Sequence, residues 1–247
     1  DWLSRVELSR LDKDSAGIDH VLTHMGIPLQ EALEISTFYG ALGAFTQAVD
    51  FLDDVMEHGT PHASTPMQKN AVEPFTASPL LNYMAGWYAA QAGDRDKALS
   101  CYRKAAGMSP DYCFPFRIEE KRMLEDVIRT NPADGKAPYY LGNLLYYYDQ
   151  KDLAIDAWKQ AIAQDPGYGM SRRNLGFATD KYLNDKAAAA EIYRQAIDAE
   201  ASDPKFFTEL DILEESLQVP SARRMHSSLS APKSVLKTPS KPIARSA

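Results

Sequence analysis

The sequence predicts an all-α fold, a right-handed solenoid of stacked helical hairpins with one irregular half repeat and a disordered C-terminal tail. Three observations carry the prediction. Small and bulky residues recur at fixed places in windows of 34 residues: Gly86, Gly142 and Gly176 are each followed, 16 or 17 residues on, by an aromatic residue (Tyr102, Trp158 and Tyr193). A small residue lets two helices cross closely, and the aromatic ring fills the gap beside it. Helix-ending pairs (Ser109-Pro110, Asn131-Pro132 and Asp165-Pro166) punctuate the chain, because proline has no amide hydrogen and disfavours helix in the residue before it. Between these breaks the apolar residues recur at intervals of three and four, the helical period.

The central window, residues 135–168, is the clearest. Leu141, Gly142, Leu145, Ala154, Trp158, Ala161 and Pro166 take its positions 7, 8, 11, 20, 24, 27 and 32. One hairpin cannot bury its apolar face alone, so neighbours are expected on both sides. Upstream, Trp2 to Leu11 reads as a short helix. Ile18, Val21, Leu22 and Met25 suggest another, stopped by Gly26 and Pro28, so residues 1–28 form an N-terminal helical cap. Residues 29–62 repeat the pattern with Tyr39, Gly43, Ala48, Leu52 and Val55, Gly43 falling where the turn asks for a positive φ. A loop at Gly59 to Ala63 precedes Thr65 to Thr76, an ambiguous stretch with room for a short irregular helix.

Residues 79–112 match again, through Gly86, Gly93, Ala98, Tyr102, Ala105 and Pro110. Residues 113–134 then hold only half a repeat. Cys113-Phe114-Pro115-Phe116 reads as extended, followed by one helix from Arg117 to Arg129, a break expected to bend the stack or open a pocket. Residues 169–203 form a stretched copy with one residue inserted near Leu183-Asn184. Residues 204–218 read as a capping helix with Phe206, Phe207, Leu210, Leu213 and Leu217 on one side. Residues 219–247 are rich in serine, proline and basic residues, cannot bury enough apolar surface to offset ordering entropy, and read as disordered. Thr238-Pro239-Ser240-Lys241 has the form of a proline-directed kinase site, although a solvated tail is the favoured reading.

Charge is unevenly distributed. Six basic residues and no acid follow Pro220, leaving 21 basic against 34 acidic residues before it. Such an acidic body argues against nucleic acid as the main partner. Cys101 and Cys113 lack the spacing of a zinc or redox pair and read as buried thiols. No run is long and apolar enough for a membrane helix, and no membrane partner is expected. The expected location, a separate reading, is cytoplasmic. The start at Asp1, without methionine or leader, reads as a piece of something longer.

The 34-residue helix–turn–helix spacing resembles the tetratricopeptide repeat. Three stretches narrow the resemblance: Ser109 to Arg117 (SPDYCFPFR), Lys136 to Tyr146 (KAPYYLGNLLY) and Arg173-Asn174-Leu175-Gly176. They look like the helical region of large, mostly bacterial multidomain proteins that pair tetratricopeptide repeats with a β-sandwich domain of unknown function, with a suspected link to carbohydrate. The resemblance spans about Leu29 to Leu217 and does not extend to the basic tail. It implies a partner domain elsewhere in a longer parent chain.

In tetratricopeptide domains, first-helix positions 2, 5, 9, 12 and 13 point into a concave groove. Carried onto this sequence they give Lys136, Tyr139, Asn143, Tyr146 and Tyr147 in the central repeat, Tyr83 and Trp87 in the repeat before the half repeat, and Arg173 and Phe177 in the stretched copy, with Arg172 beside them. An aromatic groove with a basic end is suited to a peptide segment bearing a carboxylate, or to a sugar face. His20 and His24 lack the glutamate of a zinc-protease helix, and with His58 and His62 they are explained by helix faces and loops, so no metal is expected. Glu119, Glu120 and Glu125 sit near the break, but no nucleophile motif, phosphate loop or dinucleotide fingerprint accompanies them, and no catalytic residue or cofactor is expected. The reading is a non-catalytic scaffold for protein–protein or interdomain binding. The alternative is a helical accessory module of a carbohydrate-active protein, contributing to a sugar site.

Overall fold

The computed structural model describes residues 2–12, 14, 16, 17, 20, 28–58, 77–111, 113–201, 203–221 and 224. Among them are eleven helices and no strand: α1 Trp2–Leu11, α2 Pro28–Ala41, α3 Phe45–His58, α4 Pro79–Gln91, α5 Arg95–Ala106, α6 Ile118–Thr130, α7 Lys136–Tyr147, α8 Lys151–Gln164, α9 Gly169–Lys181, α10 Lys186–Ala199 and α11 Pro204–Ser216. The expected helix around Ile18 to Met25, the segment Thr65 to Thr76, Tyr112, His24, His62 and the tail beyond Arg224 lie outside the described residues. The chain forms two compact units, Asp1–Asp165 and Pro166–Ala247.

In the first unit α2 packs on α3, α4 on α5 and α7 on α8 as hairpins. α3 also meets α4, and α6 lies against both α4 and α7. The pairing follows from the turns. Gly43 (φ +73°) and Gly93 (φ +90°) adopt the left-handed conformation that reverses the chain after a first helix. At the equivalent place in the next hairpin the residue is Asp149 (φ +59°), whose short polar side chain tolerates that region. Asp94 then caps α5 by accepting from the Lys97 amide at 2.9 Å.

The crossings depend on the glycines. A Cβ on Gly142 would lie within 3.0 Å of three atoms of the Trp158 indole, and one on Gly86 within 3.0 Å of the Tyr102 ring and the Ala98 carbonyl. Tyr83, Tyr102, Tyr140, Met84, Met123 and Leu124 are fully buried around these crossings. Two of the buried phenols reach carboxylates: Tyr102 donates to Asp126 and Tyr83 to Asp134, both at 2.7 Å. Both cysteines are buried free thiols.

The second unit packs α9 on α10 and α10 on α11. Its core joins Ala189, Ala190 and Tyr193 to Leu210 and Leu213. Asn184 (φ +57°) makes the turn between α9 and α10, and Asp185 caps α10 by accepting from the Ala188 amide at 2.9 Å. Pro204 opens α11, where its missing amide hydrogen costs nothing.

Candidate functional site

The ten residues singled out from the sequence fall in both units, seven in the first and three in the second. In the first unit Tyr83 is fully buried: its ring meets Tyr140 at 6.2 Å and its hydroxyl is given to Asp134. Burial first, and then the Asp134 charge, pushes the phenol well above its ordinary pKa. Tyr139 is also buried, 5.4 Å from Tyr140. Trp87 is half-buried beside Tyr88, and Tyr146 half-buried against Trp158. Asn143 accepts from the Trp158 indole N–H at 3.1 Å. The Lys136 ammonium donates to the carbonyls of Ala106 at 3.0 Å and Met108 at 2.7 Å, closing the end of α5. Only Tyr147 among these seven is freely presented, at 71% exposure.

In the second unit Arg172 donates to the Pro166 carbonyl. Arg173 forms a two-pronged pair with Glu209 and donates to Asn174 at 3.1 Å, its guanidinium 5.8 Å from the Phe177 ring. The basic groups expected to receive a carboxylate are thus engaged by internal acceptors.

The structure brings forward a different surface in the first unit. The segment 113–116 is extended and alternates strictly: Cys113 and Pro115 point inward, while Phe114 (70% exposed) and Phe116 face solvent. Successive side chains of an extended chain point to opposite sides, so both phenylalanines show on one face. Ile118, at the start of α6, and Tyr147 and Tyr148, at the end of α7, are exposed as well. Tyr148 donates its hydroxyl to the Phe116 carbonyl at 2.7 Å, which fastens the two edges together. Tyr147 and Tyr148 meet edge to face at 5.3 Å.

Buried charge holds this surface in place. Glu120 is completely buried, and one of its oxygens accepts from the amides of Phe116 at 2.6 Å and Arg117 at 2.8 Å. The Arg117 guanidinium lies 4.4 Å over the Phe116 ring, 3.5 Å from Glu120, and donates to Gln30 and Glu34 of α2. Desolvation raises the Glu120 pKa against the opposing pull of these amides and Arg117. The three glutamates near the break therefore include a structural anchor, and the sequence clue to it was the alternation of Cys113-Phe114-Pro115-Phe116 ahead of a glutamate at the third helical position.

The second unit carries a cavity of about 210 Å³ between α9, α10 and α11. Phe177, Ile212 and Leu213 give it apolar walls, and Tyr193, Asp180 and Glu209 line it too. Its charges are answered internally: Asp180 pairs with Lys181 at 2.7 Å, Glu209 with Arg173, and Lys186 donates to Ser216 at 3.2 Å. Among the described residues no group of three or more His, Cys, Asp or Glu side chains gathers as a metal site, and no helix is long and apolar enough to cross a membrane.

No family model matches the sequence, and no curated protein is similar to it. Among solved structures, the chain is similar to MamA from residue 41 onward of Desulfovibrio magneticus RS-1, with 17% identity and a TM-score of 0.40 over 84% of this chain and 94% of that one. It is similar to YrrB, described as a TPR protein with an unusual peptide-binding site, with 18% identity and a TM-score of 0.33 over 79% and 93%. It is also similar to the TPR2AB domain of yeast Sti1 in complex with pHSP90, with 14% identity and a TM-score of 0.33 over 86% and 95%. Likeness at this level bears on no ligand of the present chain.

Proposed function

We propose that the chain is a non-catalytic scaffold whose first unit holds a segment of a partner protein, or of a partner domain in a longer parent chain. One observation carries the reading: Phe114, Phe116, Ile118, Tyr147 and Tyr148 are all exposed, and hydrogen bonds tie the Phe116–Arg117 backbone to Glu120 below and to the Tyr148 hydroxyl beside it. Rigid aromatic side chains contribute large contact area at little cost in conformational entropy, and they dominate binding energy where they line a surface. The other first-unit residues named from the sequence enter as support: Lys136, Tyr139, Asn143 and Tyr83 fix α7 and its neighbours, and Tyr147 makes contact. No observation favours the carbohydrate alternative, which is not carried further.

The test is selection of a displayed library of random short peptides on the full chain. A shared apolar or aromatic motif is expected, with binding weakened about tenfold or more by Phe114→Ala or Tyr147→Ala, as for truncation of an interface anchor. Both side chains are mostly exposed, so both variants should fold. Selected peptides that bind parent and variants equally, or a library that yields no enrichment, would refute the proposal.

A further inference from the structure

We infer that the corner formed by Tyr147 and Tyr148, with Asp149 beside it, receives a cationic side chain, lysine or arginine, of the segment held by the first unit. The site belongs to the surface proposed above and depends on that surface holding a peptide. Geometry is the first ground. The two tyrosine rings meet at 77° with centroids 5.3 Å apart, and both residues are exposed. The face of an aromatic ring is its negative side, and a cation placed over it is attracted. Tyr148 is tied down at its hydroxyl by the Phe116 carbonyl, so this ring is already held before a partner arrives. The next residue is Asp149, whose side chain is 82% exposed at the left-handed turn (φ +59°).

Charge is the second ground, and it also says where on the surface the cation belongs. Lys151 lies 2.6 Å from Asp149 with its side chain 31% exposed, and Asp152 beside it is exposed. Two carboxylates to one ammonium leave this edge negative. At the other edge the Arg117 guanidinium is only 10% exposed and is shared between Glu34 and Glu120. Arg122, one helical turn beyond Ile118, is exposed and repels a cation on the α6 side. A peptide laid across the surface therefore sets its apolar or aromatic anchors on Phe114, Phe116 and Ile118 and its cation at the end of α7. The excess of 34 acidic over 21 basic residues before Pro220 favours the approach of such a segment.

Two displayed libraries of random short peptides, alike except that one omits Lys and Arg, test this on the full chain. The complete library should yield the tighter binders, carrying Lys or Arg near apolar or aromatic anchors, and replacing that cation by Ala should weaken binding about fivefold or more. Asp149→Asn preserves the left-handed turn, which asparagine tolerates, and Tyr147→Leu preserves apolar bulk without the ring. Each variant should shrink the gap between a basic peptide and its Ala analogue by about threefold or more, and added salt should narrow the gap in the parent chain. Equally tight binders from both libraries, or a gap unchanged in both variants, would overturn the inference and leave the scaffold reading standing. No enrichment from either library would remove both.

Discussion

Replacing Gly142 by alanine adds one methyl group at the tightest crossing of the first unit. The new Cβ would fall within 3.0 Å of Nε1, Cδ1 and Cε2 of Trp158. That indole has little room to yield: it is 2% exposed, packs 5.5 Å from Tyr146, and donates to Asn143 at 3.1 Å. Restoring ordinary contact requires a shift of roughly 1 Å. Overpacking of this kind costs about 1–3 kcal/mol, and a strained indole hydrogen bond adds up to about 1 kcal/mol. Against this, alanine's preference for helix over glycine returns about 1 kcal/mol. The net expectation is a loss of up to about 3 kcal/mol, read from urea denaturation followed by far-UV circular dichroism and tryptophan fluorescence. Gly176→Ala is the companion, because there the nearest ring atoms of Tyr193 stand 3.1 Å away and small adjustments suffice. It should fall within about 1 kcal/mol of the parent, the overlap and the helix preference nearly cancelling. A Gly142→Ala chain as stable as the parent, or less affected than Gly176→Ala, would refute the claim that the crossing is set by glycine facing a fixed ring.

Tyr83→Phe removes a hydrogen bond to a buried carboxylate and should cost about 1.5–3 kcal/mol in the same denaturation assay, while the Asp134 bonds to the amides of Lys136 and Ala137 keep α7 capped. Glu120 has a folded pKa raised by burial above its ordinary 4.5. Such a group contributes stability that is full below the unfolded value and lost as pH rises through the folded value. Urea midpoints should therefore fall as pH climbs from 4.5, and the fall should be shallower in Glu120→Gln; an unchanged slope would remove Glu120 as a cause. Burial pushes the Cys113 thiol up to about 12 and raises that of Cys101, so neither should react with a thiol reagent at pH 8 until denaturant is added.

The helices were legible because each depends on local spacing. Gly43 and Gly93 announced their turns, and Trp158 against Gly142 could be paired from the repeat register. The equivalent left-handed turns at Asp149 and Asn184 carry no such mark, since neither residue advertises a positive φ as glycine does. The helix after the half repeat begins at Ile118 and not at Arg117 because Glu120 reaches back to the Arg117 amide and makes Arg117 the residue before the helix.

The candidate surface was less legible, for a physical reason. Position within a repeat tells which way a Cα–Cβ bond points but not what lies opposite. Lys136 and Arg173 carry charge in the sequence. Whether that charge faces solvent depends on the carbonyls of Ala106 and Met108 in one case and on Glu209 in the other, residues 28 to 36 positions away. Tyr83 and Tyr147 likewise carry equivalent rings, yet one is enclosed by Tyr102 of α5, Tyr140 of α7 and Asp134 while the other stands at the open end of its helix. Periodicity, small residues at crossings and helix breakers determined the all-helical hairpins, because those are interactions between near neighbours in the chain. Which aromatic side chains remain available to a partner was decided only when distant helices came together, since exposure is a property of what packs on a side chain and not of the side chain itself.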